Sequence, residues 1–198
     1  MSDEATQAGV FVKRKISRLC ETKNESASRA TMAKLRRGIG KAPGSMPEIW
    51  DTTLDGLPET LTGKGSGPTR GEWAVHTALT LYALHQQGKD VKAQCMSKEG
   101  ASLGVSVRNL VDPDNSNEDA VKRRFDAAAT SNCLEEFSHH LRSLVQLLKA
   151  KDIPLDYPML AKDLYWFQFP DAKDSVRLRW GRDFYRIRKN EENVNEIE

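Results

Sequence analysis

Apolar residues recur at steps of three and four along the whole chain, and alternating runs of Val, Ile, Thr and aromatics are scarce, so the pattern predicts helices throughout. A first helix over about 5–20 carries Ala8, Val12, Ile16 and Leu19 on one stripe and a basic face opposite. A second, over about 28–38, takes Ser28 as its N-cap, buries Met32, Leu35 and Ile39, and stops at Gly38 and Gly40. Residues 40–70 hold much of the glycine and proline, with one short helix from Pro47 to Leu54. Pro68 and Thr69 open a helix to about Gln87, ended by Gly88. Trp73, His76, Leu79, Leu81, Tyr82 and Leu84 make it apolar on more than one side, which places it at the centre of the core.

One short helix fits GASLGVSVRNL, residues 100–110, and DPDNSN after it is a loop. Ser116 with Asp119, and Asn132 with Glu135, read as capping boxes for helices over about 117–129 and 133–151. In the second of these, Leu134, Phe137, Leu141, Leu144, Val145 and Leu148 form one stripe, and His139, Arg142, Gln146 and Lys149 form another. Asp156 caps a helix carrying Leu160, Leu164 and Phe167, which Pro170 ends. Asp171 with Asp174 then starts a last helix, with Val176, Trp180, Phe184 and Ile187 inward and Arg179, Arg182, Arg186 and Lys189 outward. The architecture this predicts is all-α: a two-lobed helical bundle of about eight to nine helices, with an N-terminal lobe over 1–115 and a C-terminal lobe over 116–198.

Composition narrows the function classes. The chain is 38% hydrophobic and 29% charged, which is enough apolar material to fold rather than stay disordered. No window approaches the roughly 18 uninterrupted apolar residues of a membrane span, and MSDEATQAGV lacks a signal-peptide pattern, so a cytoplasmic protein without a membrane role is expected. Cys20, Cys95 and Cys133 are odd in number and far apart in sequence, which predicts reduced thiols rather than a disulfide framework or a zinc site.

No P-loop, nucleophile elbow, H-E-x-x-H or dinucleotide fingerprint occurs, so no enzyme, metal or cofactor is expected. His139 and His140 are adjacent on a helix, diverge by about 100°, and do not converge on one metal. His76 reads as a hydrogen-bonded core histidine. The spacing of Trp73, Trp166, Phe167, Trp180 and Tyr185 favours packing over stacking on bases.

Charge distribution is the remaining signal. Net charge is only +2, but Arg29, Lys34, Arg36, Arg37 and Lys41 have few acids beside them, and Arg177 to Lys189 form a second cluster ahead of an acidic tail. The bias toward arginine, including Arg123, Arg124 and Arg142, suits the planar recognition of phosphate. A cationic face of this kind predicts a nucleic-acid backbone as its ligand.

Three stretches, SRATMAKLRRGIGKAPG, GASLGVSVRNL and VKRRFDAAATSNCLEEFSHHLRSLVQLLKAKDIPLDYPMLAKDLYWF, together resemble the CasB family, the small subunit of the type I-E CRISPR surveillance complex Cascade, over about residues 28–168. The resemblance implies a non-catalytic, all-helical subunit, present as a pair of copies among the other Cascade subunits, that touches crRNA, target strand and displaced non-target DNA. Carried over motif by motif, it places Arg36, Arg37, Arg123, Arg124 and Arg142 on the basic surface. Helical geometry adds Lys122 and Lys149, the acid-poor N-terminal cluster adds Arg29 and Lys41, and the last helix adds Arg179 and Arg182. Two departures stand out, AAAT at residues 127–130 where the family often has an arginine, and a longer stretch over 40–70. The competing readings are a free-standing helical DNA-binding regulator and a protein-interaction bundle that meets an acidic partner.

Overall fold

A computed structural model of the chain describes the backbone of residues 3–195 and the side chains of residues 3–186. Within them the fold is helical: α1 (Asp3–Glu21), α2 (Glu25–Arg37), a 3-10 turn (Pro47–Ile49) leading into α3 (Trp50–Thr53), α4 (Arg70–His85), α5 (Leu103–Arg108), α6 (Glu118–Ala129), α7 (Leu134–Ala150), α8 (Tyr157–Phe167) and α9 (Pro170–Asn195). The only β-type pairing among the described residues is one isolated bridge between Ser97 and Leu155. Ile187, Arg188, Lys189 and the acidic tail lie outside the described side chains.

Local chemistry sets most boundaries. Thr69 and Glu72 form a reciprocal capping box at the start of α4, with the Thr69 N–H donating to Glu72 at 2.7 Å and the Glu72 N–H donating to Thr69 Oγ1 at 3.0 Å. Ser102 and Asp156 cap α5 and α8 through Val105 N–H and Met159 N–H. Gly88, at φ +84°, turns the chain after α4 as expected.

Four starts differ from the sequence reading. Asn24, not Ser28, caps α2, so the helix begins at Glu25, and the Ser28 hydroxyl instead donates to Leu19 O at 2.9 Å and ties α2 to the end of α1. Neither expected capping box forms ahead of α6 or α7. Asn117 spends its side chain on Asp112 N–H and Leu110 O, and Glu136 rather than Glu135 accepts from Asn132 N–H, at 2.7 Å. The last helix starts at Pro170 itself, where a proline suits the first helical position, and Asp174 pairs with Arg177 at 3.0 Å rather than closing a capping box.

α4 runs through the middle with every residue from Ala74 to His85 buried, packed by α1, α2, α7 and α8. α1 lies along α8, α6 along α7, and α9 against α5 and α8, so faces from before and after residue 115 share one continuous core. Phe137, Phe167 and Trp180 stack at 4.6, 5.2 and 5.9 Å between ring centres, joining α7, α8 and α9. Trp180 Nε1 donates to the buried carboxylate of Asp163 at 2.6 Å. The basic face of α1 is not all solvated: Lys15 is buried and donates to Asp51 O at 2.7 Å, with Asp55 3.7 Å away.

Candidate nucleic-acid interface

The amphipathic pattern of α7 positions the site. Its apolar stripe, Leu134 to Leu148, is buried against α4 and α6, which turns His139, Arg142 and Gln146 outward and leaves Lys149 half-buried beside them. Two concavities flank this outer edge. One is a cleft of about 260 Å³ with Lys41 and Arg142 in its wall, together with Trp73, His76, Ser138 and His139. The other is an open groove of about 400 Å³ between α6 and α7, walled by Arg123, Arg124, His140 and Ser143.

His76 builds the first cleft from beneath. It is buried on α4, and Nε2 lies 3.0 Å from Gly38 O, at the C-terminal cap of α2. Burial lowers its pKa, so the ring is neutral and donates to that carbonyl, holding the turn that carries Lys41 against α4. This is the hydrogen-bonded core role read from the sequence. Glu135 is the one acid in the cleft wall.

Arg36 and Lys149 extend the positive surface. Arg36, half-buried and not fully exposed, reaches across to α4, its Nη1 donating to Ala83 O at 3.4 Å, and burial lowers its pKa. Lys149 donates to Gln87 Oε1 at 3.0 Å. Its pKa is lowered by partial burial first, then by the fields of Arg36 and Lys89. Arg36 of α2 and Lys89 of the turn after α4 therefore add to the positive field at Lys149 of α7, although Lys89 already holds Asp152 in an ion pair. Arg29, seven residues before Arg36 and so on the same side of α2, pairs with Glu25 at 3.3 Å.

Other predicted residues lie elsewhere or are already engaged. Arg37 faces Glu48, to which it donates through Nε at 3.1 Å and through Nη2 at 3.0 Å, so two members of the acid-poor cluster are paired, Arg29 within α2 and Arg37 with an acid beyond it. Arg179 is not on a free outer stripe: it donates to Asp163, whose carboxylate is buried at the α8–α9 contact. Lys122 is exposed on α6, and hydrogen bonding to Tyr185 of α9 raises its pKa. Arg182 is exposed on α9.

Ser143 and His140 line the groove, and Lys89, paired with Asp152, lies beside Lys149; the sequence reading weighed His140 only as a metal ligand and did not single out the other two. The +3 step from His140 to Ser143 and on to Gln146 was visible on α7, but no sequence signal places Lys89 beside Lys149. Among the described residues, no group of three or more His, Cys, Asp or Glu is arranged to hold a metal ion, and no helix is long and apolar enough to cross a membrane.

Comparison with known proteins assigns the fold a family. CasB from Thermobifida fusca superposes with a TM-score of 0.75 at 32% sequence identity, over 90% of this chain and 98% of that one. CasB from Thermus thermophilus gives 0.64 at 22% identity, over 93% and 99%. A chain of a CRISPR RNA-guided surveillance complex gives 0.70 at 23% identity, over 98% and 99%; at these lower identities the likeness is one of fold. No curated protein matches the chain. The family described as CRISPR-associated protein Cse2 matches residues 31–185, a span that takes in α3 to α8, most of α2, and α9 as far as Tyr185, so the chain belongs to the Cse2 (CasB) family.

Proposed function

We propose that this chain is a non-catalytic subunit of a CRISPR RNA-guided surveillance complex, and that it grips nucleic-acid backbone on the surface around α7. The ligands in this reading are guide RNA, target strand and displaced DNA strand. The protein partners are the other subunits of the complex and a second copy of this chain. One observation carries it: cations far apart in sequence, Arg36 and Lys41, Arg123 and Arg124, Arg142 and Lys149, gather around one helix edge, and the cleft walled by Lys41 and Arg142 holds a single acid, Glu135. Base pairing reads sequence in an RNA-guided complex, so such a subunit needs only phosphate contacts and shape.

If the chain divides at residue 115 into two lobes, the Lys41–Arg142 cleft lies on their seam and a bound strand bridges both. Arg29 prolongs the surface along α2, and Lys122 and Arg182 supply a second patch at α6 and α9. Arg29, Arg37 and Arg179 contribute less, because each already holds a carboxylate.

The test is affinity purification of the tagged protein from its native cells, with and without ribonuclease. A multi-subunit particle containing small RNAs is the expected result. Recovery with unrelated proteins that survive nuclease treatment would point to a protein-interaction bundle, and a footprint on a specific duplex by the isolated chain would point to a DNA-binding regulator.

A further inference from the structure

Cys20 and Cys95, remote in sequence, meet in the fold with their sulfurs 3.6 Å apart. Cys20 is the penultimate residue of α1, and Cys95 sits in the stretch after α4. That stretch is held in place: Gln86 donates through Nε2 to Gln94 O at 2.9 Å and accepts the Met96 N–H through Oε1 at 2.9 Å, so one side chain clamps the backbone on both sides of Cys95. Leu155 N–H adds a bond to Met96 O at 3.0 Å. The hydroxyl of Tyr82 lies 3.4 Å from the Cys20 sulfur and 3.6 Å from the Cys95 sulfur. Both thiols are only half-buried and open onto a groove between α1 and α8 that a small solute can enter.

We propose that Cys20 and Cys95 form a redox pair, which a hydroperoxide oxidises to a disulfide that ties the end of α1 to the chain after α4. In the first step the Cys95 thiolate attacks one peroxide oxygen; an S–O bond forms, the O–O bond breaks, and the other oxygen leaves as water or alcohol after taking up a proton. In the second, Cys20 attacks the Cys95 sulfenic sulfur; the S–S bond forms, the S–O bond breaks, and hydroxide leaves with the Cys20 proton as water. Two thiols lose two electrons and the peroxide gains them. A dithiol reductant reverses the reaction by thiol–disulfide exchange.

The electrostatics bear on the order of attack. Either sulfur can donate across the 3.6 Å contact; with the Cys20 S–H donating, Cys95 is pulled down to about 6, and the same bond together with burial pushes Cys20 up. In that arrangement Cys95 is the nucleophile and Cys20 the resolving thiol, and the linked peptide expected is the same for either order. Cys133, exposed at the start of α7 and remote from both in sequence, serves as an internal control.

The experiment treats the folded full-length chain with stoichiometric hydrogen peroxide, alkylates the remaining thiols, and maps the peptides by mass spectrometry alongside C20S, C95S and C133S. The expected result is a Cys20–Cys95 linked peptide in the wild type and in C133S, reversed by dithiothreitol and absent from the other two. Because the link closes a loop of 75 residues, the oxidised protein should melt roughly 5–10 °C higher. Full alkylation of Cys20 and Cys95 after peroxide, or over-oxidation of Cys95 without the linked peptide, would overturn the proposal. The wild-type map decides this even if a serine variant folds poorly.

Discussion

Arg37 donates three hydrogen bonds to Glu48, all between 3.0 and 3.1 Å, across the turn that joins α2 to α3. Its neighbour Arg36 points the other way, toward α4, and feels Lys149. The two halves of one Arg-Arg pair therefore have different work. R37A should change affinity for single-stranded RNA by no more than about twofold, whereas R142A should cost tenfold or more, as removal of a charge-assisted hydrogen bond worth about 1.5–3 kcal/mol implies. E48Q should raise affinity by freeing Arg37. Titration of the three variants by fluorescence anisotropy checks this, and equal losses for R37A and R142A would contradict it.

Arg179 should behave as a stability residue. Its partner Asp163 is 2% exposed while Arg179 is 40% exposed, so R179A leaves a buried carboxylate with Trp180 Nε1 as its remaining partner. A loss of about 1–3 kcal/mol is expected, below the range for a fully buried pair because water screens Arg179. Urea unfolding measures that loss. RNA affinity per folded molecule should be unchanged.

Gly104 lies where α5 meets α9, and a Cβ there would stand 2.2 Å from Trp180 O and 3.0 Å from Phe184 N, both backbone atoms that do not yield easily. G104A should therefore destabilise by about 1–3 kcal/mol. Gly181, one residue beyond Trp180, has open space around it, and G181A should be neutral or stabilise by up to about 1 kcal/mol through helix propensity. Thermal melts of the two variants should move in opposite directions or leave G181A unmoved.

Two buried groups oppose each other in acid. Burial pushes His85 down to about 4 from an ordinary 6.5, so the native state resists protonation and stability is lost as pH falls through that window. Burial pushes Asp163 up to about 6 from 3.8, so the native state takes its proton first and stability is gained as pH falls from about 6 toward 3.8. D163N removes the compensating group and should make the acid loss steeper between pH about 6.5 and about 4.5. Denaturant midpoints across that range test it, and parallel curves for variant and wild type would contradict the assignment.

How far the sequence foretold this arrangement depends on the range of each interaction. The two stripes of α7 follow from helical spacing alone, and the structure buries one and exposes the other edge. The caps at Thr69 and Asp156 were legible because their partners lie three residues away. The Asn24 cap and the diversion of the Asn117 side chain to Asp112 N–H and Leu110 O were not, since each position offers more than one polar residue and tertiary bonds such as Ser28 to Leu19 O decide between them. The same limit applies to charge: Glu48 and Asp163, which occupy Arg37 and Arg179, are 11 and 16 residues away, beyond any intrahelical pairing rule. Lys89 beside Lys149, and Cys20 against Cys95, depend wholly on the packing of α1, α4 and α7.

The central claim is that the cations around α7 hold phosphates, and the salt dependence of binding tests it most directly. Kd for a single-stranded RNA should be measured across a range of salt concentrations for the wild type and for a variant with K41Q, R123Q, R124Q and R142Q combined. The account predicts little dependence on base sequence and a steep wild-type slope, reduced in the variant by about 0.7 for each phosphate it no longer neutralises, with an unchanged melting curve. An identical slope in the folded variant would contradict it.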